Sequence, residues 1–259
     1  MGKNKLARWT ELGSFDKVYQ PKISDISTGD HQVKGKWKKE IFKNDNPVIL
    51  ELGCGKGEYS VGLAGRFPGN NYIGVDIKGA RMWRGAKTAD EKKLPNIGFI
   101  RTRIEFINSF FTTDEIDEIW ITFPDPHSGP KNSNKRLTSP SFLNIYRQFL
   151  KNNGIVHLKT DNTELYNYTK NTVTGNELEI LFATNDLYCD NIKAETDSPA
   201  PEKGLSSSGK RKVIPDDILS IRTHYESLFL KKGLKINYIS FRLNKDKVIK
   251  NAASKANRE

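Results

Sequence analysis

The chain has 259 residues, 36% hydrophobic and 10% aromatic, enough to bury the core of one large domain. Its formal net charge of +11 points to a polyanionic partner, nucleic acid foremost, or to a solvated basic surface. Two cysteines, Cys54 and Cys189, indicate no disulfide framework, no apolar run reaches the ~18 residues of a membrane span, and Met1 to Thr10 lacks the apolar centre of a secretory leader, so a cytoplasmic protein is expected.

In chain order, residues 1–44 read as a basic N-terminal arm, of mixed composition to residue 33, with a helix over 34–43. A main domain over 45–243 follows, in which short apolar runs alternate with amphipathic segments. The pattern predicts a strand over 48–53, a helix over 58–66, a strand over 71–76, a helix over 79–92, and strands over 97–101 and 117–123. A helix over 139–151, a strand over 154–160, a helix over 163–172, a strand over 178–184, a helix over 215–232 and a strand over 235–243 complete it. Pro68, Pro95, Pro140 and Pro215 fall at element edges, where proline is tolerated. Connections between the first five strands are long enough for crossover helices, so the sheet is expected to be mainly parallel. Residues 193–214, with Ser198-Pro199-Ala200-Pro201, Ser206-Ser207-Ser208-Gly209 and Lys210-Arg211-Lys212, read as a mobile insertion, either plain or an arm that touches substrate. The polar tail 244–259 is expected to fray.

Two loops carry the chemistry. Glu51-Leu52-Gly53-Cys54-Gly55-Lys56-Gly57 follows the first strand and opens a helix. Glycines there let the backbone turn sharply and approach a ligand. A dinucleotide fingerprint would place a third glycine three residues after Gly55, where Glu58 stands. That carboxylate suits a helix N-terminus and would repel a pyrophosphate, but it tolerates a cofactor without phosphate, such as S-adenosylmethionine, whose sulfonium is positive. Glu51 is suited to a cationic amino-acid moiety, and Asp76, ending the second strand, to ribose hydroxyls. Cys54 reads as a small packing residue.

The second loop is Phe123-Pro124-Asp125-Pro126-His127, at the end of Ile119-Trp120-Ile121. Two prolines stiffen it and hold Asp125 where it could meet a nucleobase edge. Lys131, Lys135 and Arg136 follow, with Asn132, Ser133 and Asn134 among them, as a basic loop suited to phosphates. In open α/β sheets ligands sit at the carboxyl ends of strands, so both loops belong to one site. His31, His127, His157 and His224 show no metal-ligand spacing, and no metal is expected. Trp9, Trp37, Trp83 and Trp120 read as core or partly buried residues.

With these residues in view, the chain resembles the bacterial tRNA (guanine-N(7)-)-methyltransferase family over about 45–243. The resemblance rests on the glycine loop, Asp76, Phe123 to His127, Thr160-Asp161-Asn162 and Thr223-His224-Tyr225-Glu226. It implies an α/β, class I methyltransferase-type (Rossmann-like) fold with a seven-stranded, mainly parallel sheet between helices. It also implies methyl transfer from S-adenosyl-L-methionine to nitrogen 7 of guanine at position 46 in the tRNA variable loop. By the same resemblance Glu51, Gly53, Gly55, Gly57, Asp76, Arg103 and Asp125 belong to the cofactor region, with Asp125 the catalytic candidate. Lys131, Asp161, Thr223, His224, Tyr225 and Glu226 match substrate-binding positions. The chain departs from the family twice. Arg103 stands where the family carries an adenine-reading acid, which leaves adenine to backbone groups or to Glu105. His127-Ser128-Gly129-Pro130-Lys131 is one residue longer than the usual Trp-Pro-Lys-Lys. A monomer or a homodimer is compatible with the sequence.

Nitrogen 7 of guanine has a free lone pair and no proton, so its methylation is catalysed mainly by alignment, with a carboxylate offsetting the charge that develops. Two other readings compete. An adenine exocyclic-amine methyltransferase would carry adjacent prolines and an aromatic where His127 stands. An RNA-binding subunit on a decayed fold would have lost the glycines or acids that remain here.

Overall fold

A computed structural model describes residues 3–188 and 221–251. Eight strands form one sheet: β1 (Val18–Tyr19), β2 (Val48–Leu52), β3 (Asn71–Asp76), β4 (Ile97–Arg101), β5 (Ile116–Thr122), β6 (Leu150–Thr160), β7 (Ile180–Thr184) and β8 (Asn237–Leu243). Their spatial order is β1-β4-β3-β2-β5-β6-β8-β7. Every neighbouring pair from β1 to β6 is parallel, and β8 runs antiparallel to both β6 and β7. Helices α1 (Lys3–Leu12), α2 (Ile23–Ser27), α3 (Glu58–Arg66), α4 (Gly79–Glu91), α5 (Pro140–Tyr146), α6 (Thr163–Gly175) and α7 (His224–Lys231) accompany the sheet.

The centre of the sheet is buried on both faces, which is why β2 reads as an unbroken apolar run apart from Glu51. Val48, Leu50 and Leu52 enter one core with Ile119 and Ile121, while Ile49 faces the opposite core with Tyr59 and Trp120. That alternation is the period-2 geometry of a strand. The chain winds outward from β2 to β3 and β4, then returns to lay β5 and β6 on the other side of β2. The switch point therefore lies between β2 and β5, where such sheets open a crevice.

Several expectations change at the edges. The sheet has eight strands rather than seven, because β1 adds to β4 through Val18↔Phe99 and Tyr19↔Ile100. A two-residue strand has no periodicity to read. The N-terminal arm, which reads as separate from the main domain over 45–243, buries Leu12, Ile26 and Val33. The helix expected over 34–43 is a π-turn at Trp37–Phe42. Glu115 holds this segment by accepting from the Gly35 and Trp37 amides at 3.0 and 3.1 Å. The helix expected over 139–151 stops at Tyr146, and β6 begins at Leu150, which pairs with Ile116 beside a register shift in β5. The tail is anchored over 244–251. There Asn144 Nδ2 donates to the Ile249 carbonyl at 2.8 Å, and Ile249 is buried. The expected 193–214 insertion, helix residues 215–220 and the tail beyond 251 lie outside the described residues. Among the described residues no helix is long and apolar enough to cross a membrane.

Candidate active site

At the switch point a cleft of about 970 Å3 opens at the carboxyl ends of β2, β3, β5 and β6. Gly53, Gly55 and Gly57 have φ of 75°, 55° and 69°, a region that residues with a Cβ rarely occupy. The Gly53 and Cys54 amides donate to the Val75 carbonyl at 2.8 and 3.0 Å, folding the loop onto β3. A Cβ at Gly55 would meet nothing within 4 Å, so that backbone faces open space in the cleft. Gly57 does something else: a Cβ there would stand 2.9 Å from the Phe99 ring and 3.3 Å from Gly85 Cα. It allows the start of α3 to pack on α4 and does not line the cleft, contrary to the sequence expectation that grouped it with the ligand glycines.

Three acids surround this loop. Asp76 Oδ2 accepts from the Gly55 amide at 2.9 Å and Oδ1 from the Lys78 amide at 2.7 Å. Glu51 is buried under the loop, where Oε1 accepts from Thr122 Oγ1 at 2.6 Å and Oε2 from the Ser60 amide at 3.0 Å and the Ser60 hydroxyl. Burial pushes its carboxyl up to about 7, against the hydrogen bonds from Ser60 and Thr122. Glu58 accepts from the His224 amide at 2.7 Å, so the acid that replaces a third glycine ties the start of α7 to the start of α3. Burial also pushes up the thiol of Cys54, which packs in the core as expected. Beyond Asp76, Ile77 and the segment Thr102 to Glu105 form the far wall. Arg103 and Glu105 pair there at 3.1 Å, both about half exposed.

The second loop faces the first across the cleft. Phe123 and His127 have φ of 47° and 44°, so left-handed residues bracket Pro124-Asp125-Pro126. Such conformations cost of order 1–3 kcal/mol each and persist only where the surroundings impose them. Asp125 is exposed at the tip and lines the cleft. Asp161, at the end of β6, lines it too, and burial raises its carboxyl above the usual range. Among the described residues no cluster could hold a metal ion.

The chain matches, over residues 45–211, the family described as "Putative methyltransferase". A tRNA (guanine-N(7)-)-methyltransferase of Bacteroides fragilis is 45% identical over 94% of this chain and 87% of its own length. One from Christiangramia forsetii is 45% identical over 93% and 98%, and one from Porphyromonas gingivalis 46% identical over 90% and 86%. The chain belongs to the tRNA (guanine-N(7)-)-methyltransferase family. Two solved structures share its fold with a TM-score of 0.50. An antibiotic-related methyltransferase is 16% identical over 79% of this chain and 90% of its own. The 16S rRNA methyltransferase KamB is 13% identical over 83% and 95%. The fold is therefore the class I methyltransferase-type fold, with one strand added at the edge.

The residues that resemble this family's late substrate stretch divide in two. Thr223 and Tyr225 line the cleft. His224 is exposed but outside the lining, with its amide on Glu58. Glu226 does not reach the cleft at all. It is fully buried, 2.6 Å from Lys159 Nζ, and accepts from the Tyr188 hydroxyl at 2.5 Å. Thr223 and Glu226 also form a reciprocal capping box that starts α7. The spacing Thr-x-x-Glu carried that signal, so a cap was legible and the buried lysine partner was not.

The basic loop divides as well. Lys131 and Lys135 are exposed on a 3₁₀ turn, Pro130–Lys135, and of the two Lys135 lines the cleft. Arg136, expected on phosphates, is buried and turned inward. Tryptophans follow expectation: Trp37 and Trp120 are core, while Trp9 stacks under Arg101 and Trp83 under Arg8.

Proposed function

We propose that this protein transfers a methyl group from S-adenosyl-L-methionine to nitrogen 7 of guanine at position 46 in the variable loop of tRNA. One observation carries the reading: the open glycine loop with its acids and the strained Asp125 loop share a single cleft at the switch point. Family membership supplies the chemistry that this cleft fits. Gly53 and Gly55 would hold the cofactor, with Asp76 and the buried Glu51 beside them and Ile77 and Arg103 to Glu105 along the wall. S-adenosyl-L-methionine supplies an electrophilic methyl group. The guanine nitrogen 7 lone pair would form the new bond to the methyl carbon as that carbon's bond to sulfur breaks, the bonding pair staying on the departing thioether. Nitrogen 7 has no proton to lose, so the chain needs no strong general base. Asp125 orients the base and offsets the positive charge that develops on the purine. Asp161, Thr223 and Tyr225 contribute the remaining wall of the nucleobase site, and Lys131 and Lys135 meet phosphates outside it. Incubating unmodified tRNA with protein and cofactor and digesting it to nucleosides tests the assignment. 7-Methylguanosine is expected, and N(6)-methyladenosine in its place would overturn it.

The cofactor is expected to bind without tRNA. At about 100 times its dissociation constant it should stabilise the fold by roughly 2.7 kcal/mol in thermal melts. Asp76→Ala should weaken binding roughly tenfold or more, since it removes charge-assisted contacts and the anchor of the Gly55 amide. A cationic ligand portion beside Glu51 lowers a carboxyl pKa that stands at about 7 in the free protein. Binding should therefore release protons below about pH 7, tighten as pH rises toward 7 and level off above it. Calorimetry in buffers of different ionisation enthalpy reads both, and an absence of binding at millimolar cofactor would remove the cofactor assignment.

Binding of tRNA is expected to be largely electrostatic, its log affinity falling linearly with log salt. Lys131→Ala and Lys135→Ala should each weaken all substrate tRNAs alike and lower the salt slope by about 1. Wild-type affinity and slope in the double variant would make the turn a solvated surface.

A further inference from the structure

We infer that Arg136 is a positioning residue that clamps the Asp125 loop in its strained form, an inference that rests on the methyltransferase reading above. Its guanidinium is spent on protein groups. Nε donates to the Pro126 carbonyl at 3.1 Å and to the His127 carbonyl at 3.3 Å, and Nη2 donates to Glu164 Oε1 at 2.5 Å. The same cation lies 4.4 Å over the Tyr168 ring. Only 4% of the side chain is exposed, which leaves no route to a phosphate.

Glu164, in the first turn of α6, accepts a second bond from the Gly129 amide at 3.2 Å. One ion pair thus grips the loop at residues 126, 127 and 129, directly after Asp125. The anchor is rigid: α6 is capped by Asn162, which accepts from the Leu165 amide at 2.8 Å, and Thr169 pairs with Thr138 at 2.6 Å. A clamp is needed because Phe123 and His127 are both left-handed non-glycine residues that would relax toward ordinary conformations if released. Arginine fits the task because its planar fork reaches two carbonyls and a carboxylate while its face stacks on the tyrosine, and an ammonium cannot do all of this.

The test uses the full chain with tRNA and S-adenosyl-L-methionine, in the variants Arg136→Lys and Glu164→Gln. Hydrogen exchange at the Gly129 amide of the unliganded protein, which donates to Glu164, should quicken at least tenfold in Arg136→Lys. Its single-turnover rate at saturating cofactor and tRNA should fall roughly 10–100-fold, the scale of a small misplacement of a reacting group. Affinity for tRNA and its salt slope should stay near wild type. Glu164→Gln should shift exchange and rate in the same direction by less. Its side chain is half exposed, so this variant keeps the test decisive should Arg136→Lys fail to fold. Unchanged loop exchange in Glu164→Gln, or a salt slope lower by about 1 in Arg136→Lys with loop exchange unchanged, would overturn the clamp. Wild-type protein that methylates no tRNA would sink the functional reading, and loop exchange would still decide the clamp.

Discussion

Asp125→Asn is expected to slow methyl transfer about 100-fold or more while leaving tRNA affinity near wild type. The side chain is exposed at the tip of a loop whose backbone is fixed independently, by Pro124, Pro126 and the Arg136 contacts to the Pro126 and His127 carbonyls. Asparagine keeps the shape and removes the charge. If the carboxylate offsets positive charge on guanine as the methyl arrives, the loss falls on the rate constant and not on ground-state binding. A hundredfold is the scale for losing one preorganised electrostatic contact. Single-turnover rates at saturating cofactor and tRNA separate this from weakened cofactor binding. Near wild-type rates under those conditions would reduce Asp125 to a turn residue and move the role to Asp161, a half-buried carboxylate that also lines the cleft.

Glu226→Ala is expected to destabilise the fold by about 3–5 kcal/mol, the cost of leaving a buried partner charge uncompensated. Glu226 and Lys159 are both fully buried 2.6 Å apart, with the Tyr188 hydroxyl on the same carboxylate oxygen. Burial and this carboxylate push the Tyr188 phenol above its usual range, so at neutral pH it remains a donor to Glu226. The substitution also removes half of the capping box that starts α7, worth roughly 1 kcal/mol. Because Thr223 and Tyr225 line the cleft from the start of that helix, catalysis should fall with stability. Denaturant unfolding reads the first effect, and replacing both partners, Lys159→Met with Glu226→Leu, should recover much of it. A loss under 1 kcal/mol in Glu226→Ala would mean that water reaches the pair.

The sequence by itself determined the five parallel strands, the glycine loop and the proline-framed loop. Each is written locally: a buried central strand is a continuous apolar run, and glycine and proline mark turns wherever they stand. Because ligands sit at the carboxyl ends of strands in open sheets, both loops are placed at one crevice, where they are found. Tertiary structure alone decided what each charged side chain does there. Arg136, Lys135 and Lys131 look alike in a basic run, yet one is sealed against Tyr168 while the other two stand in solvent. Glu226 matches a substrate-binding position in sequence, yet β6 brings Lys159, 67 residues away, against it in the interior. Glu58 reads as a capping acid, and its partner is the His224 amide, 166 residues on. The N-terminal arm reads as a basic, mixed segment apart from the main domain, yet Leu12, Ile26 and Val33 from it are buried in the two cores. Periodicity and turn chemistry report on neighbours along the chain. The fate of a polar or isolated apolar side chain depends on partners that only folding brings within reach.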